Sequence, residues 1–175
     1  YSSADAALVP CGGTGQPEIL RALNMLPNVS ISAVVSMADS GGSSGVLIDE
    51  RGILPPSDAL RCLMALANEG SGRVAALVEA CRYRFKGKGS LVPHGTGHTA
   101  VNVLMAAFIE LDGMMEALSC MGQQFDVSPR HQVLPSTLES TTLCAELLDG
   151  TQIRGETLID RPAGQGRAAI RHCWL

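Results

Sequence analysis

Two glycine-rich segments carry the residue types best suited to chemistry. The first, Gly12-Gly13-Thr14-Gly15, ends a short apolar run and precedes a helical pattern. Glycines in that position let a backbone approach a phosphate closely, and the following helix start supplies free N–H groups and a positive dipole end. The segment matches neither G-x-G-x-x-G nor a Walker loop, because no Gly-Lys-Ser/Thr follows. A simple tight turn explains the same residues. The second segment, Asp39 followed by Gly41-Gly42-Ser43-Ser44-Gly45, closes a β-branched run. A carboxylate at a strand end is a common ligand contact in α/β folds. The glycines would form a second anion-binding turn, with the Ser43 and Ser44 hydroxyls adding hydrogen bonds. Two adjacent strands that end this way would open on one sheet edge.

Other candidates are weaker. Asp58, after Pro55-Pro56-Ser57, is explained by helix capping, and the alternative is a carboxylate that orients a ligand or divalent cation. His94 and His98 are four residues apart but straddle Pro93 and Gly95-Thr96-Gly97, so a helical zinc pair is not expected. Asn102, one turn beyond His98, suits local pairing. No serine sits in a G-x-S-x-G elbow, which leaves no basis for Ser-His-Asp catalysis. Arg82 and Arg84 read as the solvated face of a helix.

The elements that would position these residues follow from periodicity. Ala6–Val9 reads as a strand, and Ile19, Leu20, Leu23 and Leu26 as a helix entered through Pro17. Val29–Met37 is rich in β-branched residues and fits a buried strand. A helix capped by Ser57 or Asp58 carries Leu60, Leu63, Met64 and Ala67 and stops at Gly70. Another carries Val74, Leu77, Val78 and Cys81. A further helix runs through Val101, Leu104, Met105, Phe108 and Leu111, breaks at Asp112-Gly113, and resumes through Leu118 and Met121. Alternating Leu143, Ala145 and Leu147, then Asp149-Gly150 and Ile153, predict a hairpin. Residues 161–175 show no period and read as a surface tail. The sum is an open α/β sheet with a hairpin appendage.

Composition sets limits. A chain of 175 residues with 46% hydrophobic content builds one real core. Aromatics are 3% and net charge is −4, which exclude a base-stacking platform and a basic nucleic-acid footprint. Six cysteines stand singly, without C-x-x-C, as buried thiols of a reducing compartment would. No N-terminal segment has signal-peptide order, and the longest apolar stretch, Val103–Ile109, is far short of a membrane span. A soluble cytoplasmic protein with no membrane or nucleic-acid partner is expected.

Taken in order, G-G-T-G, A-D-S-G-G-S-S-G, I-L-P-P-S-D, Y-R-F, G-H-T-A-V-N, V-L-P-S-T-L-E and A-E-L-L-D-G-T-Q-I-R-G-E-T resemble the YvcK-type proteins of bacteria. Their more distant cousin is CofD, the 2-phospho-L-lactate transferase of deazaflavin cofactor synthesis. The resemblance covers about Val9 to Ile159. It implies a Rossmann-like, open, mostly parallel sheet over residues 1–160, with flanking helices, a hairpin appendage and a divergent tail at 161–175. Because the resemblance stops there, the C-terminal part of the family fold is expected to be missing. Residue by residue, it implies that Gly12, Gly13, Thr14 and Gly15 cradle the ligand's phosphates or uridine side. Asp39, Gly41, Gly42, Ser43 and Ser44 would line the cleft. Asp58 matches the acid of a P-P-G-D-I-R-N motif, and His98 and Asn102 match G-H-S-x-G-N. Ser57 replaces the motif glycine, Leu60 the arginine and Arg61 the asparagine, while Val101 replaces the glycine before Asn102.

The function implied by the resemblance is binding of a nucleotide sugar of the UDP-N-acetylglucosamine type, or another diphosphate, by a regulator of carbon use and cell-wall precursor supply. The alternatives are a CofD-like phospholactyl transferase and a degenerate fragment that binds nothing. The only cofactor anticipated is magnesium accompanying a nucleotide diphosphate. An uncovered sheet edge predicts self-association into a homo-oligomer.

Overall fold

The computed structural model describes residues 5–12, 15–93, 97–160 and 167–175. A parallel sheet lies at the centre of an α/β fold. Strand β1 (Asp5–Cys11) leads through helix α1 (Gln16–Asn24) to β2 (Val29–Val35). Helices α2 (Gly42–Arg51), α3 (Ser57–Ala65), α4 (Gly72–Arg82), α5 (Ala100–Asp112) and α6 (Met114–Gln124) follow, and β3 (Gln132–Pro135) completes the sheet in the order β1-β2-β3. Register places Cys11 beside Val35 and Val35 beside Pro135. All three strands therefore end on one edge, as two strands closing on glycine-rich segments require.

The β-branched run of β2 accounts for its central place. Ile31, Ala33 and Val35 are fully buried, while Ser30, Ser32 and Val34 alternate with them and are partly exposed. Among the described residues, one sheet face is thus fully covered and the other only in part. Leu20 of α1, Leu60 and Leu63 of α3, and Leu118, Met121 and Phe125 in and after α6 fill the covered face. Aliphatic and methionine side chains build this core, consistent with the scarcity of aromatics. Helices α5 and α6 break at Gly113, whose φ of +87° excludes most other residues.

Three local expectations change. Gly41–Gly45 is no open turn: Gly41 caps α2, and its carbonyl accepts the Gly45 N–H at 2.9 Å, so the helix starts within the glycine run. Neither Ser57 nor Asp58 caps α3. Pro56 holds the N-cap position without a side-chain bond, and α3 already stops at Ala65 rather than Gly70. The third change lies at the C-terminal end, where the expected hairpin of β4 (Cys144–Leu147) and β5 (Gln152–Arg154) is joined by β6 (Ile170–Trp174). The order β5-β4-β6 is antiparallel throughout. The segment read as a tail is therefore a strand in part. Its residues are all exposed, which leaves no burial rhythm to read.

Helix α7 (Glu156–Asp160) follows β5. The main core draws its residues from Leu20 through Val133, and none comes from the small antiparallel sheet. No helix among the described residues is long and apolar enough to cross a membrane.

Candidate functional site

At the end of β1, Gly12 faces Ser36 of the neighbouring segment, with 3.7 Å between the Ser36 Cβ and where a Gly12 Cβ would stand. Gly15 occupies the N-cap of α1, and Pro17 lies in its first turn. Gly13 and Thr14 lie outside the described residues, as does His94.

Beyond β2, the Asp39 carboxylate accepts the Gly41 N–H at 2.9 Å. Ser40 reaches the small sheet's helix: its N–H meets Glu156 Oε2 at 3.4 Å and its hydroxyl accepts the Thr157 N–H at 3.3 Å. Burial raises the Glu156 carboxyl above its ordinary value, and the adjacent Asp39 adds to the rise. Asp39, Ser40 and Gly41 thus link the parallel sheet to α7. Gly42, at φ +50°, opens α2.

Ser43 and Ser44 point inward from the first turn of α2, at 6% and 1% exposure. Ser43 Oγ lies 2.7 Å from His98 Nδ1. Asn102 donates both amide hydrogens, to Ser43 Oγ and to Ser57 Oγ, each at 2.9 Å. Ser44 Oγ donates to Ser57 Oγ. Five side chains, from α2, α3, α5 and the segment just before α5, therefore form one polar network, buried except at Ser57. Burial lowers the His98 pKa, with Glu50 opposing and Arg84 reinforcing the shift. A neutral ring with Nδ1 as acceptor fits the Ser43 contact. The serine hydroxyls expected to face an anion are committed to protein partners.

The network borders a cleft of about 360 Å³. Ser57 and Asn102 line it from the network side, together with the N-terminal turns of α1 at Pro17 and of α5 at Thr99 and Val101. Four guanidinium-bearing residues complete the wall: Arg21, Arg61, Arg82 and Arg84. Arg21 comes from α1, Arg61 from α3 and Arg82 from the last turn of α4. Arg84 is fixed by backbone pairing, in which Phe85 donates to the His98 carbonyl at 3.0 Å and Ala100 to the Tyr83 carbonyl at 2.8 Å. That pairing requires Gly97, because a Cβ there would stand 1.8 Å from the Phe85 carbonyl oxygen. Arg82 and Arg84 are exposed, as read from the sequence, and both line the cleft. Asp58 sits behind the wall and accepts from Arg61 at 2.9 Å.

The structure brings Asn102 to the cleft, places His98, Ser43 and Ser44 in the network behind it, and puts Asp39 and Gly41 at the contact with α7. Sequence reasoning missed the four arginines and Ser57. The arginines come from three helices and a bridge, so their numbers carry no pattern. The available hints were Ser57 and Arg61 as departures from the P-P-G-D-I-R-N motif, and Arg84 within Y-R-F. Among the described residues no three His, Cys, Asp or Glu side chains converge as a metal set.

The family model described as 2-phospho-L-lactate transferase CofD matches residues 8–175, through β6. The Gluconeogenesis factor of Bacillus subtilis is 39% identical over 150 residues, covering 85% of this chain and 44% of that protein. The Gluconeogenesis factor of Listeria monocytogenes is 34% identical over 149 residues, with shares of 85% and 43%. The crystal structure of a UPF0052 family member from Bacillus halodurans superimposes with a TM-score of 0.85 at 32% identity, covering 99% of this chain and 51% of that one. The chain spans from 31% to 51% of the length of eight of the curated relatives it matches. On a family match that takes in the sheet, the network and the cleft, the chain belongs to the CofD family, with the gluconeogenesis factors as its relatives.

Proposed function

We infer that this chain binds a nucleotide sugar of the UDP-N-acetylglucosamine type in the arginine-lined cleft, and acts as a regulator of carbon use and cell-wall precursor supply. The observation that carries this reading is the convergence of Arg21, Arg61, Arg82 and Arg84 on one cleft. Guanidinium groups present planar forks of donors that match phosphate oxygens, and they hold charge at any physiological pH. The N-terminal turns of α1 and α5 add positive dipole ends on the same cavity. A volume of about 360 Å³ suits a small ligand held partly in the open.

The description of the matching family model favours a second reading, transfer of a phospholactyl group to a deazaflavin acceptor. Binding and turnover separate the two. Calorimetric titration of the purified chain with UDP-N-acetylglucosamine, with and without magnesium, is expected to give saturable heat. Arg82→Ala is expected to weaken it by about tenfold or more, the worth of one charge-assisted contact. Binding unchanged in Arg82→Ala and in Arg61→Ala would remove the cleft from the reading. Product formed from a deazaflavin acceptor would move the chain to the transferase class.

A further inference from the structure

The hydrogen bonds between the buried network and the cleft run in a fixed direction. Asn102 has two amide hydrogens, and both are donated inside the protein, to Ser43 and Ser57. The side chain is 4% exposed and lines the cleft. Its carbonyl oxygen has no donor among the described residues, which leaves that oxygen as an acceptor on the cleft side. Ser57 shows the complementary pattern. Its oxygen receives the Ser44 hydroxyl and the Asn102 amide, which fills both acceptor positions of a hydroxyl. No acceptor among the described residues takes the Ser57 proton, and Ser57 also lines the cleft. Ser43, held against His98 Nδ1 at 2.7 Å, fixes the other side of the Asn102 amide.

The acceptors elsewhere on the wall are already engaged: Thr99 Oγ1 takes the Asn102 N–H at 3.4 Å. Arginines only donate. The one carboxylate on the wall, Glu18, is paired with Arg21. A bare anion would satisfy the guanidinium groups and Ser57 but offer the Asn102 oxygen no donor. A ligand that carries an O–H or N–H beside its anionic group satisfies all of them.

Building on the reading of this cleft as a ligand site, we propose that Ser57 and Asn102 are its specificity-determining pair. Ser57 donates to an anionic oxygen, and Asn102 Oδ1 accepts from a hydroxyl or N–H of the same ligand. The cleft therefore selects hydroxyl-bearing phosphate or diphosphate esters over the bare anion. Ser44, Ser43 and His98 are positioning residues, which act by orienting this pair.

The test titrates the full chain with three probes: inorganic pyrophosphate, glucose 1-phosphate and UDP-N-acetylglucosamine. Ser57→Ala, checked for an unchanged melting transition, is expected to weaken every probe that binds by about tenfold, as loss of a hydrogen bond to a charged oxygen does. Replacing Asn102 endangers the network, so its role is read in the unaltered protein by NMR. Both Asn102 side-chain amide protons are expected to exchange slowly. The Asn102 carbonyl carbon is expected to shift with the hydroxyl-bearing probes and not with pyrophosphate. Fast amide exchange, or a carbonyl shift with pyrophosphate alone, overturns the pair. Binding of UDP-N-acetylglucosamine that Ser57→Ala leaves within twofold also overturns it, while sustaining the nucleotide-sugar reading. Ser57-dependent binding of glucose 1-phosphate, with the expected carbonyl shift and no response to UDP-N-acetylglucosamine, sustains the pair and overturns that reading. Absence of binding by all three overturns both.

Discussion

Each arginine of the cleft already has a partner on its own side. Arg21 pairs with Glu18, Arg61 with Asp58 at 2.9 Å, Arg82 with Glu69 at 3.6 Å, and Arg84 donates to the Gly97 carbonyl. The exposed pairs of Arg21 and Arg82 contribute at most about 1 kcal/mol each, so an anion can draw those two guanidinium groups away without a large opposing term. The two buried histidines behave differently. Burial lowers the pKa of His98, and it lowers that of His131, where Arg130 adds to the effect. His131 Nδ1 accepts the Ile31 N–H at 3.2 Å and Nε2 faces Asn24 Oδ1 at 3.0 Å, an arrangement that needs the neutral ring. The unfolded chain, with ordinary values near 6.5, binds these protons more readily than the folded one. Stability from both rings is therefore present above pH 6.5 and is lost as pH falls below it towards the folded values. Urea midpoints are expected to drop between pH 7.5 and pH 5.5, with a shallower drop in His131→Gln; a flat profile would mean that neither ring stays neutral on folding. Glu156, raised by burial, works in the opposite direction nearer its ordinary 4.5. At this scale the sequence disclosed Asn102 and His98 through G-H-T-A-V-N but assigned both to the ligand. Only the fold separates the residue at the cleft from the one behind it.

Helix α2 shows why some elements were hidden in the sequence. Glycine and serine are poor helix formers and favoured turn residues, so Gly41-Gly42-Ser43-Ser44-Gly45 reads as a turn. Tertiary contacts override that preference. Ser43 and Ser44 are drawn inward by His98, Asn102 and Ser57, and Gly45 lies so close to Ser40 that a Cβ would stand 2.4 Å from its carbonyl oxygen. Gly45→Ala must push α2 away from that backbone. It is expected to destabilise the chain by about 1–3 kcal/mol, as overpacking does, and to loosen the network that orients Asn102. Thermal unfolding reads the first effect and ligand affinity the second. The helices with apolar periodicity, α4 to α6, were legible from Val74, Val101, Leu118 and their neighbours, as was β2 from its β-branched run. Strand β3 is only four residues long and β6 is exposed throughout. Neither has an alternation long enough to separate a strand from a loop.

At the scale of the whole molecule, the described residues cover one face of the parallel sheet fully and the other only in part. Parallel sheets ordinarily carry helices on both faces, yet Leu8 of the edge strand β1 is 73% exposed. An exposed apolar edge strand favours pairing between copies. The chain is expected to self-associate as its concentration rises, measured by size-exclusion chromatography with light scattering. A monodisperse monomer across that range would show that the edge is tolerated. The split between the main core and the small antiparallel sheet bears on how the protein opens. The small sheet contributes nothing to the core cluster, and it is tied back through polar contacts such as Ser40 with Thr157 and Thr141 with the Met37 carbonyl. Such a unit can detach as a cooperative piece while the rest stays folded. Amides of β4 and β5 should then lose their protons to deuterated solvent by a partial opening, long before those of β2, whose exchange waits for global unfolding. Release of this piece would free Ser40 from Glu156 and Thr157, and the start of α2, with the Ser43 and Ser44 hold on the cleft, would then follow the opening of the small sheet.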